Sequence, residues 1–270
     1  MIDAIHQSSL NMALRCGEQF RRRFIEGEII PPSIAAARGT GVHGANEVNL
    51  KHKIQKGDDL PVNDLKDAAR DKYVKTISSG IYLAKANRPA KDRLLNEGLN
   101  DTLRCTKLYR EEVAPGINPV AIEEPFELDV GLELPLAGVM DYQEKPEVGD
   151  LKTTRMKWQE GRIKKEIQPA LYSFVHEKTR HIRPEFKYSI LIARRGKNGN
   201  PTSEELQTQV MTPTEQDYEA LFAKLEMFIN MLKAGVFIPA NPTSWWCDPK
   251  WCGYWETCPY VGNPKHRREI

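Results

Sequence analysis

Apolar and polar positions alternate most clearly in the middle of the chain. Leu136-Ala137-Gly138-Val139-Met140-Asp141-Tyr142 and Val148-Gly149-Asp150-Leu151-Lys152-Thr153 read as two short strands, with Lys145-Pro146-Glu147 supplying the turn between them. Side chains alternate faces along a strand, so Asp150 and Lys152 share one side while Leu151 enters the core. Val120 to Leu128 reads as a preceding strand, which makes a three-strand meander. Phe186 to Ala193 and Leu206 to Met211 predict a second hairpin around the Gly- and Asn-rich turn Gly196 to Asn200.

Helical spacing governs most of the rest. Ser8 or Ser9 caps a first helix through Leu14 to Phe24, and Thr40 caps a second beyond Pro31-Pro32. The polar stretch from Val62 to Arg110 predicts several amphipathic helices forming a cap or arm, with Cys105 buried among them. Trp158 to Arg180 reads as largely helical, interrupted near Pro169. Thr212-Pro213-Thr214-Glu215 reads as a capping box with proline at the first helical position. The helix it opens runs to about Ala234, where Gly235 ends it. From Pro239 the chain is irregular and rich in Trp, Cys and Pro. No repeat, linker or clear domain boundary interrupts it. The expectation is one α/β domain over 1–270, a mixed sheet flanked by helices. It divides into a helical insertion at about 60–112, a core at about 119–235 and a cysteine-rich tail at 239–270.

Composition narrows this little. A hydrophobic fraction of 40% and a charged fraction of 28% belong to an ordinary globular protein. The formal charge of +2 neither demands nor excludes a nucleic-acid partner, and local basic runs exist at Arg21-Arg22-Arg23, Arg194-Arg195 and Lys265-His266-Arg267-Arg268. No apolar run approaches membrane-spanning length, which argues against a membrane partner. The stretch MIDAIHQSSLNMAL lacks the basic start and long apolar core of a signal peptide, so the expected location is the cytoplasm. Five cysteines, an odd number, argue against a disulfide framework there.

The central hairpin carries the chemistry. If its register allows, Asp141 comes beside Asp150, and two carboxylates and the Lys152 ammonium converge on one small volume. Carboxylates that close repel unless a cation separates them, which makes a divalent-metal site the natural reading. The Leu151 carbonyl supplies a further hard oxygen donor, and Lys152 faces the water such an ion would hold. This chemistry suits attack of water on a phosphodiester. On pattern alone, a surface hairpin of alternating charges would look similar.

The order of motifs goes further. Gly138-Val139-Met140-Asp141 followed by Gly149-Asp150-Leu151-Lys152-Thr153-Thr154 resembles the catalytic core of the PD-(D/E)XK nuclease superfamily. Arg38-Gly39-Thr40-Gly41-Val42-His43 is similar to the R-G-T-x-x-H segment of its RecB-like branch, and the resemblance implies that His43 is a metal ligand. Gln168 and Tyr172 match that branch's Q-x-x-x-Y motif; four residues apart, they share a helix face. Glu124, on the strand before the hairpin, matches an acidic position of the family. The resemblance covers most of the chain except about 62–110.

The resemblance also gives the cysteines a role. Cys247, Cys252 and Cys258 lie within twelve residues, one ligand short of four thiolates, and Cys16 is the expected fourth. This set resembles the iron–sulfur nucleases of the RecB-like branch, including AddB-type and CRISPR-adaptation enzymes, where such cysteines hold a [4Fe-4S] cluster. The gap between Cys247 and Cys252 is wider than the two-residue gap common there, and four thiolates also suit zinc. Either metal would close a loop of over two hundred residues, constraining the unfolded chain by on the order of 4–5 kcal/mol.

The implied function is Mg- or Mn-dependent hydrolysis of DNA, as an exonuclease on single strands or ends in recombination, repair or phage DNA processing. His43, Asp141, Asp150 and the Leu151 carbonyl would hold the ion, Lys152 the water, and Gln168 and Tyr172 the strand. No G-x-x-x-x-G-K-[ST] is present, so a motor would have to be a separate helicase or recombination protein. A non-catalytic DNA-binding or assembly protein with the same fold and cluster is the alternative. Self-association into a ring stays open.

Overall fold

The computed structural model describes residues 2–261, and the basic run Lys265-His266-Arg267-Arg268 lies outside them. In chain order the main elements are β1 (Ile5–His6), α1 (Gln7–Arg15), α2 (Gly17–Phe20), α3 (Ile34–Lys56), α4 (Val62–Ser78) and α5 (Lys91–Leu108). Then follow β2 (Ala121–Leu128), β3 (Leu136–Gln143), β4 (Glu147–Thr154), α6 (Ile167–Arg180), β5 (Glu185–Arg195), β6 (Pro201–Met211) and α7 (Glu215–Ala234). The six strands form one mixed sheet in the order β1-β3-β4-β5-β6, with β2 antiparallel to β3. β4 and β5 are parallel, joined by a crossover through α6, while β5 and β6 form an antiparallel hairpin.

Strand alternation builds two cores. Ile190 and Ile192 of β5 join Val148, Leu171, Val175, Leu221 and Phe228 in the layer with α1, α6 and α7. Leu191 and Ala193 of the same strand join Leu151, Tyr142, Val42, Leu65 and Cys105 in the layer with α3, α4 and α5. Both faces of the sheet are therefore covered, as a sheet with a buried parallel pair requires. Among the described residues no helix is long and apolar enough to cross a membrane.

Local departures from the expected elements have identifiable causes. The first helix stops at Cys16, whose φ of −163° is extended, and resumes at Gly17. Its N-cap is His6, with the Ser9 hydroxyl donating to the His6 carbonyl at 2.8 Å. The glycine-rich stretch is not the entry to a helix but its interior: α3 begins after Ser33, whose side chain caps Ala36, and Thr40 donates to the Ala36 carbonyl. At Gly41 an added Cβ would lie 2.7 Å from Thr102 Cγ2 and 3.0 Å from the Ala69 carbonyl. That glycine buys close helix packing rather than a turn. The capping box before α7 sits two residues later than expected, Thr214 pairing with Asp217. Residues 155–166 carry only a short 3-10 turn, Arg162–Lys165, so α6 starts at Ile167 with Pro169 in its first turn, where proline is tolerated.

Candidate active site

The site lies where two strands separate. β3 and β4 pair at only two positions, Tyr142 with Gly149 and Gln143 with Val148. One step further in that register Asp141 faces Asp150, where the ladder has ended. On the other side of β3, Ile122 pairs with Tyr142 and Glu124 with Met140, which sets Glu123 opposite Asp141. Three carboxylates, Glu123, Asp141 and Asp150, thus stand in one row across three strands. Gly149 permits this, because a Cβ there would fall inside the Tyr142 ring.

α3 brings His43 to the row. Its Nδ1 is 2.9 Å from Asp141 Oδ2 and its Nε2 is 2.9 Å from the Leu151 carbonyl oxygen. Arg38, one turn earlier on the helix and almost wholly buried, donates to Thr153 Oγ1 at 3.2 Å and the Thr153 carbonyl at 3.3 Å. This fixes α3 against the end of β4, so Arg38 holds the scaffold and does not touch the carboxylates.

A second set of bonds comes from α6 and β5. Gln168 Nε2 donates to Asp150 Oδ1 at 2.6 Å, and Gln168 Oε1 accepts from Lys152 Nζ at 2.9 Å and from the Tyr188 hydroxyl at 3.1 Å. Lys152 Nζ lies 2.7 Å from Asp150 Oδ2 and 5.1 Å from the centre of the Tyr188 ring. Tyr172 is packed edge-to-face against Phe126 at 5.7 Å and Phe186 at 6.4 Å. Burial and the charges of Asp150 and Asp141 push its phenol up.

The charges here are strongly perturbed. Burial opposes a charge on His43, but Asp141 overrides it and raises the imidazole to about 9. For Asp141 burial acts upward, yet the His43 charge holds it below the usual carboxylate range. Asp150 moves the other way, raised first by burial, against the pull of Lys152. Glu123 is raised by burial and by the Asp141 and Glu47 charges. Two carboxylates driven apart in one pocket are a mark of functional sites.

Whether the residues suit a divalent ion can be judged from the donors. Two carboxylates, a carbonyl and an imidazole are the hard oxygen and nitrogen set such an ion takes. Asp141 Oδ2 and Asp150 Oδ2 are buried, and although cationic nitrogens lie within ion-pair distance, neither oxygen receives an aligned hydrogen bond. His43 bridges the row, with Nδ1 2.9 Å from Asp141 Oδ2 and Nε2 2.9 Å from the Leu151 carbonyl oxygen, so only one of its nitrogens could turn to an ion. Among the described residues no three His, Cys, Asp or Glu side chains close round a single point. Lys152 sits against Asp150 and His43 against Asp141 instead, so positive nitrogens balance the carboxylates. The donor set fits a dication.

One expected residue sits elsewhere, and two residues of the cluster were not expected. Glu124 turns to Arg180 at 2.7 Å and Gln143 at 2.5 Å, so the acidic neighbour of Asp141 is Glu123. Glu123 has φ +47°, a strained conformation for glutamate and one that clusters at functional sites. Tyr188 had no signal at all: a tyrosine in an apolar strand reads as core. Gln168 is in the cluster, and its motif partner Tyr172 stands beside it, packed on Phe126 and Phe186 and within reach of the Asp150 and Asp141 charges.

The cysteines also converge. Cys16, Cys247, Cys252 and Cys258 line one narrow cavity together with Trp246, Tyr254 and Trp255. Gln19 Nε2 donates to Cys252 Sγ at 3.0 Å and the Ala240 N–H to Cys16 Sγ at 3.3 Å. Burial raises the Cys247 thiol, and the charges of the three other cysteines add to the rise. N–H groups aimed at sulfur and mutual repulsion among thiolates suit a thiolate-bound metal group. Trp245 and Trp251 are more than half exposed, so only part of the aromatic set covers this cavity.

No protein-family model matches this sequence, and no curated protein matches it. Among solved structures, the chain is similar to the crystal structure of "Putative exonuclease" from Eubacterium rectale. The TM-score is 0.55 over 91% of this chain and 87% of that chain, at 13% sequence identity. The two share a fold, a mixed sheet flanked by helices.

Proposed function

We propose that this protein is a Mg- or Mn-dependent deoxyribonuclease of PD-(D/E)XK type, RecB-like branch, which hydrolyses DNA phosphodiesters at single strands or ends. The observation that carries the reading is the buried Asp141–Asp150 pair at the strand separation, with His43 and Lys152 against it. The shared fold with a protein named as an exonuclease supports it.

His43, Asp141, Asp150 and the Leu151 carbonyl would hold the ion. When bound, it polarises the scissile phosphate and lowers the pKa of a water. Lys152 orients that water and stabilises charge developing on the phosphoryl oxygens. Gln168 keeps Lys152 and Asp150 in fixed relation, since one amide end binds each, and Tyr188 fixes the amide itself. With nothing bound, the imidazolium and ammonium offset the carboxylate charge, so ion binding would displace a proton from His43. The four cysteines would hold a [4Fe-4S] cluster that clips Cys16 to the tail. A separate helicase or recombination protein would supply any motor.

Labelled single-stranded and double-stranded DNA, incubated with the protein and manganese, tests the reading. Cleavage by the wild type and loss of at least about a hundredfold in Lys152→Ala are expected, an amount that loss of one transition-state contact supplies. A wild type that binds DNA but cuts none of these substrates would leave a non-catalytic DNA-binding protein of the same fold.

A further inference from the structure

Residues 155–166 leave β4 three positions after Lys152 and end one residue before α6, two before Gln168, so both ends of this crossover are anchored at the candidate site. The segment holds Arg155, Lys157, Arg162, Lys164 and Lys165 against Glu160 and Glu166. That excess of three positive charges exceeds the net +2 of the whole chain. Lys157 pairs with Glu205, Arg162 with Glu166, and Arg155 with Asp101. Lys164 and Lys165 are exposed, and among the described residues neither has an acidic partner in an ion pair.

Irregular backbone of this kind is usually mobile, but here two glutamines of β6 pin it. Gln207 accepts from the Trp158 N–H at 2.8 Å and donates to the Trp158 carbonyl at 2.9 Å. Gln209 accepts from the Ile163 N–H at 3.0 Å and donates to the Gln159 carbonyl at 2.9 Å. The Arg162 guanidinium stacks 4.0 Å from the Trp158 ring centre, and that ring meets Tyr188 at 5.3 Å. The pinned loop therefore spans between Lys152 and Gln168, and its own Met156 is 74% exposed.

We infer that this crossover is the rail for the sugar–phosphate backbone of single-stranded DNA leaving the candidate site, with Lys164 and Lys165 on two phosphates. Unpaired cations on a preorganised segment suit phosphates, which carry most of the affinity for nucleic acid. The exposed Met156 side chain suits the base faces that a duplex hides. The inference rests on the nuclease reading for its substrate, but its test does not depend on turnover.

Fluorescence anisotropy of a labelled single-stranded oligonucleotide in EDTA, across a series of salt concentrations, reads it directly. Lys164→Ala/Lys165→Ala lowers the steepness of log Kd against log salt by about 1.4, at about 0.7 per phosphate contact on a single strand. Kd then rises roughly ten- to thirtyfold at about 0.1 M salt. Lys56→Ala/Lys75→Ala, which removes the same charge from α3 and α4, leaves the slope unchanged. An unchanged slope in the first variant, an equal loss in the control, or a loss confined to the matching duplex overturns the rail. Cleavage by the wild type with an unchanged slope sinks the rail alone. No cleavage with a lowered slope sinks the nuclease reading and leaves the rail standing.

Discussion

Gln168 is the side chain on which the arrangement of charges turns. Its amide has one donor end on Asp150 and one acceptor end shared by Lys152 and Tyr188, so the two ends cannot be exchanged without losing the bonds to Asp150 and Lys152. A hydrogen bond to a charged partner is worth about 1.5–3 kcal/mol, against about 0.5–1.5 kcal/mol for a neutral one. Gln168→Ala should therefore lower kcat roughly ten- to a hundredfold, and Tyr188→Phe roughly two- to tenfold, each with little change in KM for DNA. Steady-state cleavage of a labelled oligonucleotide gives both numbers. Wild-type kcat in Gln168→Ala would show that Lys152 and Asp150 need no such support.

At the scale of elements, the early parting of β3 from β4 exposes the carboxylates, and Gly149 makes room for the Tyr142 ring at the last paired position. Tyr142 lies across the Gly149 Cα, so Gly149→Ala overpacks a buried contact at a typical cost of about 1–3 kcal/mol. For a chain of this size that corresponds to a fall in Tm of roughly 2–12 °C. Tyr142→Ala should restore part of it in the double variant, a coupling that thermal melts of the four proteins measure. Additive losses would mean the two residues do not meet. The hairpin, its turn and the Asp150–Lys152 alternation were legible in sequence, since period-two patterning in a half-buried strand reports side-chain direction. Which acidic residue of β2 faces Asp141 was not: Glu123 and Glu124 differ by one register step, and long-range pairing sets that step. The interior of α3 was hidden for another reason, because glycines that admit Thr102 and Ala69 look locally like a loop. Residues 158–166 read as helix because the glutamines that hold them open come from β6, some fifty residues on.

Across the whole molecule, α3 delivers His43 from one face of the sheet and α6 delivers Gln168 from the other. The tail returns to Cys16 near the start of the chain. Clipping those ends through four thiolates should stabilise the fold by the few kcal/mol of loop closure already given, so Cys16→Ala should lower Tm by roughly 10–20 °C. It should also bleach the broad absorbance near about 400 nm that iron–thiolate ligation gives. Melting unchanged in a metal-loaded wild type and variant would contradict the staple, and bound zinc without colour would replace iron. Nearer the sheet, the proposed nuclease requires Asp141, Asp150, the Leu151 carbonyl and His43 to hold one dication. Electron paramagnetic resonance of Mn2+ titrated into the protein tests it most directly. One bound ion per chain in the wild type, lost in Asp141→Asn and in Asp150→Asn while both variants stay folded, is the predicted result; equal binding in all three proteins, or none in the wild type, would contradict it.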